Sequence, residues 1–180
     1  MTTEVLFSRP VRVEHLPKEG LTQTIAANPA ERASLAELNG LPGIAELTAT
    51  FVLRRAGRRG VRVAGEVHAE FVQTCVVSLE PFAATLDEPV DVRFAPPAEE
   101  GAARRGASSG QAETILIDAA DAPDPIIDGR IDLGALAAEF MALGIDPYPR
   151  KPGAQFTPPE DVGAAGSPFQ ALAGTARKKS

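Results

Sequence analysis

Apolar and polar residues alternate along two adjoining segments of this chain, residues 47–54 and 61–71. Apolar residues or glycine occupy every second position, and a period of two places them on one face of a β-strand. A short glycine-containing stretch, residues 56–60, separates the two segments, as in a β-hairpin. The sequence therefore predicts two paired antiparallel strands with one buried face. The residues expected to face the core are Phe51, Leu53, Val63, Val67 and Phe71.

Further strands are predicted on both sides of the hairpin. Residues 5–15 are apolar and β-prone until a proline and a glycine interrupt the pattern. Residues 82–86 and 89–94 predict two more strands separated by an acidic dipeptide, and residues 114–117 are a candidate for a short buried strand. Because these strands follow one another without intervening helices, a doubly wound parallel sheet is excluded.

Two helices are predicted from their capping residues. Asn28 stands before a proline and can cap a helix, Glu31 favours the positive helix end, and an Asn-Gly pair ends this helix near residue 39. Asp132 caps a second helix, residues 132–143, in which apolar residues form one stripe. We therefore predict an α+β fold, in which an antiparallel meandering sheet or partial β-barrel is covered by these two helices.

The chain is predicted to contain a single α+β domain, residues 1–150, followed by a tail. Its 180 residues are enough to bury one core. Residues 96–112 contain no apolar side chain larger than alanine after Pro97, and we predict a mobile loop there. Residues 151–180 are rich in proline, glycine and alanine, and they predict a disordered tail with a basic end.

Composition limits the classes of function. The net charge of −6 argues against a general nucleic-acid binder, but arginines concentrate at residues 54–62, and residues 113–146 carry eight carboxylates against Arg130 alone. This asymmetry predicts a basic lobe and an acidic lobe. The single cysteine excludes an internal disulfide and fits a reducing cytoplasm. No apolar run approaches the roughly 20 residues that span a bilayer, so we expect a cytoplasmic protein without membrane contact.

The arginines around the predicted hairpin turn are the candidate binding site. At the tip of a hairpin they would project into solvent, where guanidinium groups pair bidentately with phosphates and release counterions from RNA. The alternative is a solvated turn, in which the arginines only discourage edge-to-edge aggregation of strands. The residues are Arg54, Arg55, Arg58, Arg59 and Arg62.

Candidate metal ligands and nucleophiles are few. Glu66, His68 and Glu70 share one strand face, but only the histidine is a strong transition-metal ligand, and a solvated face explains their spacing. A catalytic thiolate needs a neighbouring base, whereas His68 is seven residues from Cys75 and on the polar face of its strand. The motifs of nucleotide-binding loops, serine hydrolases and zinc proteases do not occur. We therefore expect no enzymatic activity, no cofactor and no small-molecule substrate.

Three segments carry a resemblance to a known family. They are residues 73–81, which contain Cys75, residues 128–134, which lead into the second helix, and residues 147–153, which follow it. In this order the segments resemble the YceD family, the large ribosomal RNA subunit accumulation proteins, within residues 44–153. The resemblance implies a non-enzymatic role in large-subunit ribosomal RNA accumulation or ribosome assembly, with ribosomal RNA or a ribosomal protein as partner. A protein–protein interaction module without nucleic-acid contact is the alternative, and the negative net charge supports it.

The same resemblance raises the question of a zinc site. Many relatives resemble a zinc protein, with Cys-x-x-Cys in the first segment and a second cysteine pair beyond the last helix. Here Ser78 occupies the second position, and residues 146–156 contain no cysteine. A tetrahedral zinc site needs four ligands, and this chain has one cysteine and two histidines. We therefore expect no bound metal, and we expect Cys75 to be a partly buried small hydrophobic residue.

Overall fold

The computed structural model describes residues 6–57, 59–97 and 122–156. In chain order the elements are β1 (Pro10–Arg12), a 3-10 helix (Val13–His15), β2 (Leu21–Ala26), α1 (Pro29–Leu38), β3 (Gly43–Ala56), β4 (Gly60–Thr74), β5 (Pro81–Ala95), β6 (Asp124–Pro125), β7 (Arg130–Asp132) and α2 (Leu133–Gly144). Strands β2 to β6 form a sheet in that spatial order, antiparallel except for the β5–β6 pair, and β1 pairs with β7 separately. The predicted α+β fold is confirmed, and the larger sheet is open rather than closed into a barrel.

Strands β3 and β4 form the predicted hairpin. They pair from Gly43 opposite Val72 to Ala56 opposite Gly60. The residues predicted to face the core are buried, with at most 4% of any of them exposed: Phe51, Leu53, Val63, Val67 and Phe71. An irregularity between Ile44 and Glu46 shifts the register. Strict alternation would place Ile44 and Leu47 on opposite faces, and the extra residue lets both side chains reach the core.

Gly65 permits a close approach of the two hairpin strands. It lies opposite Phe51, and a Cβ atom at this position would stand 2.0 Å from the carbonyl oxygen of Thr50. No side chain fits that space, because the obstructing atom belongs to the backbone and cannot rotate away. The glycine therefore lets the backbone of β3 at Thr50 and Phe51 lie close against β4.

Strand β5 corrects the prediction of two strands at residues 82–86 and 89–94. It is one continuous strand, in which Asp87 and Glu88 pair with His68 and Val67 of β4. The acidic dipeptide suggested a turn, but in the structure the Asp87 side chain lies on the exposed face of the sheet. The proline at position 89 is tolerated because, in the described chain, β6 covers the other edge of β5 only at Phe94 and Ala95.

The N-terminal region differs from the predicted strand at residues 5–15. Within the described residues only Pro10–Arg12 is a strand, and a 3-10 helix follows it directly. Strand β2 was not predicted, because it is short and is stabilised by pairing with β3 rather than by a local signal. The predicted strand at residues 114–117, most of the predicted loop at 96–112 and the tail from residue 157 onward lie outside the described residues.

Both predicted helices are present with the predicted caps. Asn28 and Glu31 form a capping box at α1, in which each side chain accepts a hydrogen bond from the backbone of the other. The Asp132 carboxylate accepts the Gly134 N–H at 3.0 Å at the start of α2 and also accepts the Arg9 N–H at 2.7 Å. One carboxylate therefore joins the N-terminal segment to the start of α2.

The two helices contribute to one core on a single side of the large sheet. The buried helical residues are Leu35 and Ala36 of α1 together with Leu133, Leu136, Ala137 and Met141 of α2. The opposite side, which we call the outer face, carries mostly polar and charged side chains of β2 to β5. None of the helices in the described part of the chain lies on the outer face.

Candidate nucleic-acid interface

Three arginines stand side by side across the outer face near the hairpin turn. The strand register places Arg54 opposite Arg62, and Arg62 opposite Arg93. All three are exposed, and we call them the arginine row. Arg62 pairs with Asp91, with Nε 2.7 Å from Oδ1, and this hydrogen bond raises the pKa of Arg62 and lowers that of Asp91. Within the described chain Arg54 and Arg93 form no ion pair.

The arginine row is unfavourable for the sheet taken alone. Like charges directly opposite each other on neighbouring strands repel and destabilise the pairing. Asp91 forms an ion pair with the central member, Arg62, and its charge also interacts with that of Arg93. The arginine row therefore does not add to the stability of the sheet through its own charges.

Arg55 and Arg59 belong to a different surface from the arginine row. Arg55 follows Arg54 directly, so its side chain leaves the strand on the opposite face. Its Nη2 donates to the carbonyl oxygen of Leu16 at 3.0 Å and lies 3.4 Å from that of Val13. Arg55 is therefore partly a structural residue, which holds the 3-10 helix segment against the end of the hairpin.

A cleft of about 610 Å³ opens at this end of the molecule, and we call it the end cleft. Four arginines line it, together with two acidic residues and several apolar ones. The arginines are Arg12, Arg55, Arg59 and Arg130. Two hairpin arginines thus line the end cleft and two belong to the arginine row, and Arg58 lies outside the described residues.

The β1–β7 pair forms one wall of the end cleft. Its register sets Arg12 opposite Arg130. Asp128 and Gly129 form the turn that leads into β7, with φ angles of +50° and +68°. The Val13 N–H donates to the Gly129 carbonyl at 2.9 Å, which fastens this turn to the 3-10 helix segment. Short backbone contacts therefore position the arginines from both strands.

Sequence analysis missed three of these arginines, namely Arg12, Arg93 and Arg130. They are far from the hairpin turn in the chain, and only the pairing of β1 with β7 and of β4 with β5 brings them to this end. A cluster search along the sequence cannot find them. The alternation along the hairpin could have shown that Arg54 and Arg55 lie on opposite faces, because adjacent residues of a strand point to opposite sides of the sheet.

The other end of the outer face is acidic. His68 Nδ1 lies 2.6 Å from Asp87 Oδ1, and this hydrogen bond raises the pKa of His68, with smaller contributions from Glu46 and Glu70. Glu66 and Glu70 are exposed beside it, as the sequence suggested. No three potential metal ligands are grouped closely enough to hold an ion in the described ranges. The outer face therefore has a basic end at the hairpin turn and an acidic end around His68.

Cys75 begins a turn at the far end of β4, which we call the Cys75 turn (residues 75–80). The residue is fully buried rather than partly buried. Its surroundings are also more polar than predicted, because Sγ accepts N–H groups of Val77 and Ser78 at 3.4 Å each. Hydrogen bonding from Ser78 and from backbone N–H groups, including that of Lys151, lowers the pKa of Cys75 to about 6. The thiol therefore acts as a hydrogen-bond acceptor and not as a simple hydrophobic residue.

The segment after α2 is held against the Cys75 turn. The Val76 N–H donates to the Pro149 carbonyl at 2.9 Å, and Lys151 Nζ lies 2.8 Å from Glu80 Oε2. Gln73, a buried polar residue, donates to the Asp146 carbonyl at 3.0 Å. The start of the predicted tail, Lys151–Phe156, is among the described residues, and Lys151 belongs to this contact. The expectation that the chain binds no metal stays a prediction.

Comparisons with known proteins assign the chain to a family. None of the described helices is long and apolar enough to cross a bilayer. Neither the comparison with curated proteins nor the comparison with solved structures gave a match. One family model, described as large ribosomal RNA subunit accumulation protein YceD, matches residues 63–173. The match contains the Cys75 turn, Arg93, Arg130 and α2, and it begins after the hairpin arginines. Since it covers more than half of the 180 residues, this chain belongs to the YceD family, whose name denotes accumulation of large-subunit ribosomal RNA.

Proposed function

We propose that this protein is a non-enzymatic factor that supports accumulation of large-subunit ribosomal RNA by binding RNA at the basic end of its outer face. Family membership supports the role in accumulation. The arginine row supports direct binding, because it is a compact set of exposed cations on one face of the sheet. This role would place the protein where ribosomes are assembled, which is the cytoplasm of the cell.

The dimensions of the arginine row suit a phosphate backbone. Neighbouring strands of a sheet lie about 4.8 Å apart, so three adjacent arginines extend over roughly 10 Å. Each guanidinium can donate two parallel hydrogen bonds to one phosphate. Arg62 already uses such a contact with Asp91, which leaves Arg54 and Arg93 as the stronger candidates for RNA.

The negative net charge is compatible with this proposal because the charges are separated. Around His68, at the other end of the outer face, stand Glu46, Glu66, Glu70 and Asp87. These carboxylates would repel a phosphate backbone, since like charges across an interface disfavour contact. Such a surface would bind RNA in one orientation and would bind nonspecific nucleic acid weakly.

A second candidate function is a protein–protein interaction module without nucleic-acid contact. One observation favours it: the family match begins at residue 63, so the hairpin arginines are outside the region that defines the family. In this alternative the acidic end of the outer face, around His68 and Glu70, would bind a basic ribosomal protein.

Salt dependence of RNA binding separates the two candidates. We would measure affinity for purified large-subunit ribosomal RNA, and for unrelated RNA of equal length, over a range of salt concentrations. The triple variant Arg54→Ser, Arg62→Ser, Arg93→Ser removes the arginine row. Each lost phosphate contact reduces the slope of log affinity against log salt by about 0.7–0.9, so a total change of about 2 is expected.

The matched control replaces the same three arginines with lysine, which keeps the charge but removes the planar fork. It should retain most of the salt slope and lose affinity, because lysine pairs with phosphate as a point charge. In cells that lack the wild-type protein, the serine variant should lower large-subunit RNA relative to small-subunit RNA. Absence of RNA binding by the wild-type protein, or an unchanged slope in the serine variant, would overturn the proposal. Capture of a basic ribosomal protein by both forms would favour the alternative.

A further inference from the structure

We infer that the end cleft is a second binding site, which holds a phosphate group of an unpaired RNA nucleotide between Arg12, Arg59 and Arg130. This inference rests on the proposed function, because it assumes that RNA is the ligand. It concerns a surface that the arginine row does not include, since Arg54 and Arg55 leave β3 on opposite faces. The hairpin turn would then separate two binding surfaces.

The shape of the end cleft differs from that of the outer face. An open sheet contacts a ligand from one side, whereas a concave site can surround a single group. The volume of about 610 Å³ falls within the range that is usual for sites of small ligands. A double-stranded helix is too wide to enter such a cleft, but one nucleotide of a single strand can do so.

The charge of the end cleft is positive in a protein whose net charge is negative. Its lining contains four arginines and two carboxylates, Glu14 and Asp128, which leaves a local excess of two positive charges. Arg12 lies 3.4 Å from Glu14, and in the described part of the chain Arg59 and Arg130 form no ion pair. Arg12 and Arg130 are also directly opposite each other on β1 and β7. A bound phosphate would relieve the repulsion between them.

Hydrogen bonds within the chain hold the walls of the end cleft in place. Arg55 donates to the backbone of the 3-10 helix segment, and Val13 is bonded to the turn at Gly129. A preorganised site loses little conformational freedom when it binds, so more of the contact energy appears as affinity. Exposed apolar residues beside the arginines, Pro96 and Pro97, provide a surface on which a base or a sugar can pack.

The test compares three probes: a 5′-phosphorylated single-stranded RNA of ten nucleotides, the same sequence as a duplex, and inorganic phosphate. The cleft variant is Arg12→Ser, Arg130→Ser, with Arg55 kept because it supports the fold. The row variant is Arg54→Ser, Arg93→Ser, which removes the same number of charges from the other surface. Affinity is measured by fluorescence anisotropy, and amide shifts of Val13 and Gly129 report on the end cleft directly.

The cleft variant should lose about tenfold in affinity for the single strand at 0.1 M salt and change little toward the duplex. The row variant should weaken both RNA probes to a similar degree. Single-stranded RNA should shift the Gly129 amide in the wild-type protein, and phosphate should compete for the same shift. If the cleft variant fails to fold, Arg59→Ser in the exposed turn should give the same selective loss.

The failures of this inference and of the proposed function are distinguishable. If wild-type protein binds RNA and the cleft variant binds the single strand equally well, the end cleft is excluded while RNA binding stands. Equal losses for single strand and duplex in the cleft variant would also overturn the inference. If phosphate shifts Gly129 but no RNA binds, the ligand is a small phosphate compound, and both the RNA assignment and the proposed function fail. If neither RNA nor phosphate binds, both fail as well.

Discussion

The two ends of strand β4 differ in how their charged and polar groups are satisfied. At the Cys75 turn the groups find partners inside the molecule: Lys151 pairs with Glu80, Gln73 with the Asp146 carbonyl, and the thiol with backbone N–H groups. At the hairpin turn, by contrast, Arg54 and Arg59 form no ion pair within the described chain. Internal pairing indicates a structural role for the first end. At the second end only Arg62 of the arginine row forms an ion pair in the described chain, which supports the binding that we propose there.

The comparison also shows how the Cys75 turn is held together by hydrogen bonds within the described chain. The backbone N–H groups of Val77 and Ser78 donate to the Cys75 sulfur, and the segment after α2 contacts the turn through the Val76–Pro149 hydrogen bond. The ion pair between Lys151 and Glu80 lies beside this contact. Because exposed ion pairs contribute only about 0–1 kcal/mol, the backbone hydrogen bonds are the more important part of the connection.

The largest expected effects come from the core that the two ends share. Phe71 lies toward the Cys75 turn and Leu53 toward the hairpin turn, and both are buried in the same cluster. We expect Phe71→Ala to cost about 3–5 kcal/mol and Leu53→Ala about 2–5 kcal/mol in free energy of unfolding. Urea denaturation measures both, and the two ends should unfold together. A loss below about 1 kcal/mol in Phe71→Ala would contradict its burial in the core.

An intermediate effect is expected within the hairpin arginines themselves. Arg55→Ala should lower the free energy of unfolding by about 1 kcal/mol, because Arg55 hydrogen-bonds to the Leu16 carbonyl. Arg59→Ala should stay within about 0.5 kcal/mol, as is usual for an exposed side chain. Thermal or urea unfolding of the two variants checks this difference. Equal losses in both would show that the hairpin end is not divided into a structural and a binding part.

A dependence of stability on pH is expected at the Cys75 turn. The folded protein lowers the pKa of Cys75 to about 6 from 9.0, so between these values the unfolded chain binds more protons than the folded one. The thiolate's contribution to stability is therefore complete above pH 9, and it is lost as the pH falls toward and through 6. We expect the stability difference between wild type and Cys75→Ala to grow from pH 6 to pH 9, as measured by urea denaturation.

His68 provides the control for that measurement, because its contribution has the opposite sign. Asp87 raises the pKa of His68, so this pair stabilises the folded state at low pH and loses its effect as the pH rises through the raised value. The variant His68→Gln removes that trend. If the stability difference between His68→Gln and the double variant His68→Gln, Cys75→Ala stays flat from pH 6 to pH 9, the thiol of the folded protein is protonated over this range and the lowered pKa of Cys75 is wrong.

Local signals in the sequence were sufficient for part of the fold. Alternation identified the hairpin and its buried residues, and single capping residues identified α1 and α2, because these features depend on neighbours within a few positions. Strand β2 and the continuity of β5 depend on pairing with distant residues. An acidic dipeptide before Pro89 looks like a turn until the strand opposite it is known. The existence of β2 and the continuity of β5 therefore depend on tertiary strand pairing, which local sequence patterns do not reveal.

The candidate site was predictable only as a set of residue types. The sequence predicted the hairpin arginines as one site, whereas the structure divides them between the arginine row and the end cleft. The additional members Arg12, Arg93 and Arg130 were not found, because they reach this end only through strand register. The polar environment of Cys75 was also unpredictable, since its donors come from the backbone of a turn and of the segment after α2.

The position of Asp132 has a consequence for synthesis of the protein. Its carboxylate accepts hydrogen bonds from Ser8 and from the backbone of Arg9, Gly134 and Ala135. Ser8 and Arg9 can therefore form these hydrogen bonds only after Asp132, more than a hundred residues later in the chain, has been synthesised. While the chain is being translated, the sheet can begin to pair, but this connection cannot form until the start of α2 has left the exit tunnel. Deletion of the first nine residues would remove the same connection from the finished protein.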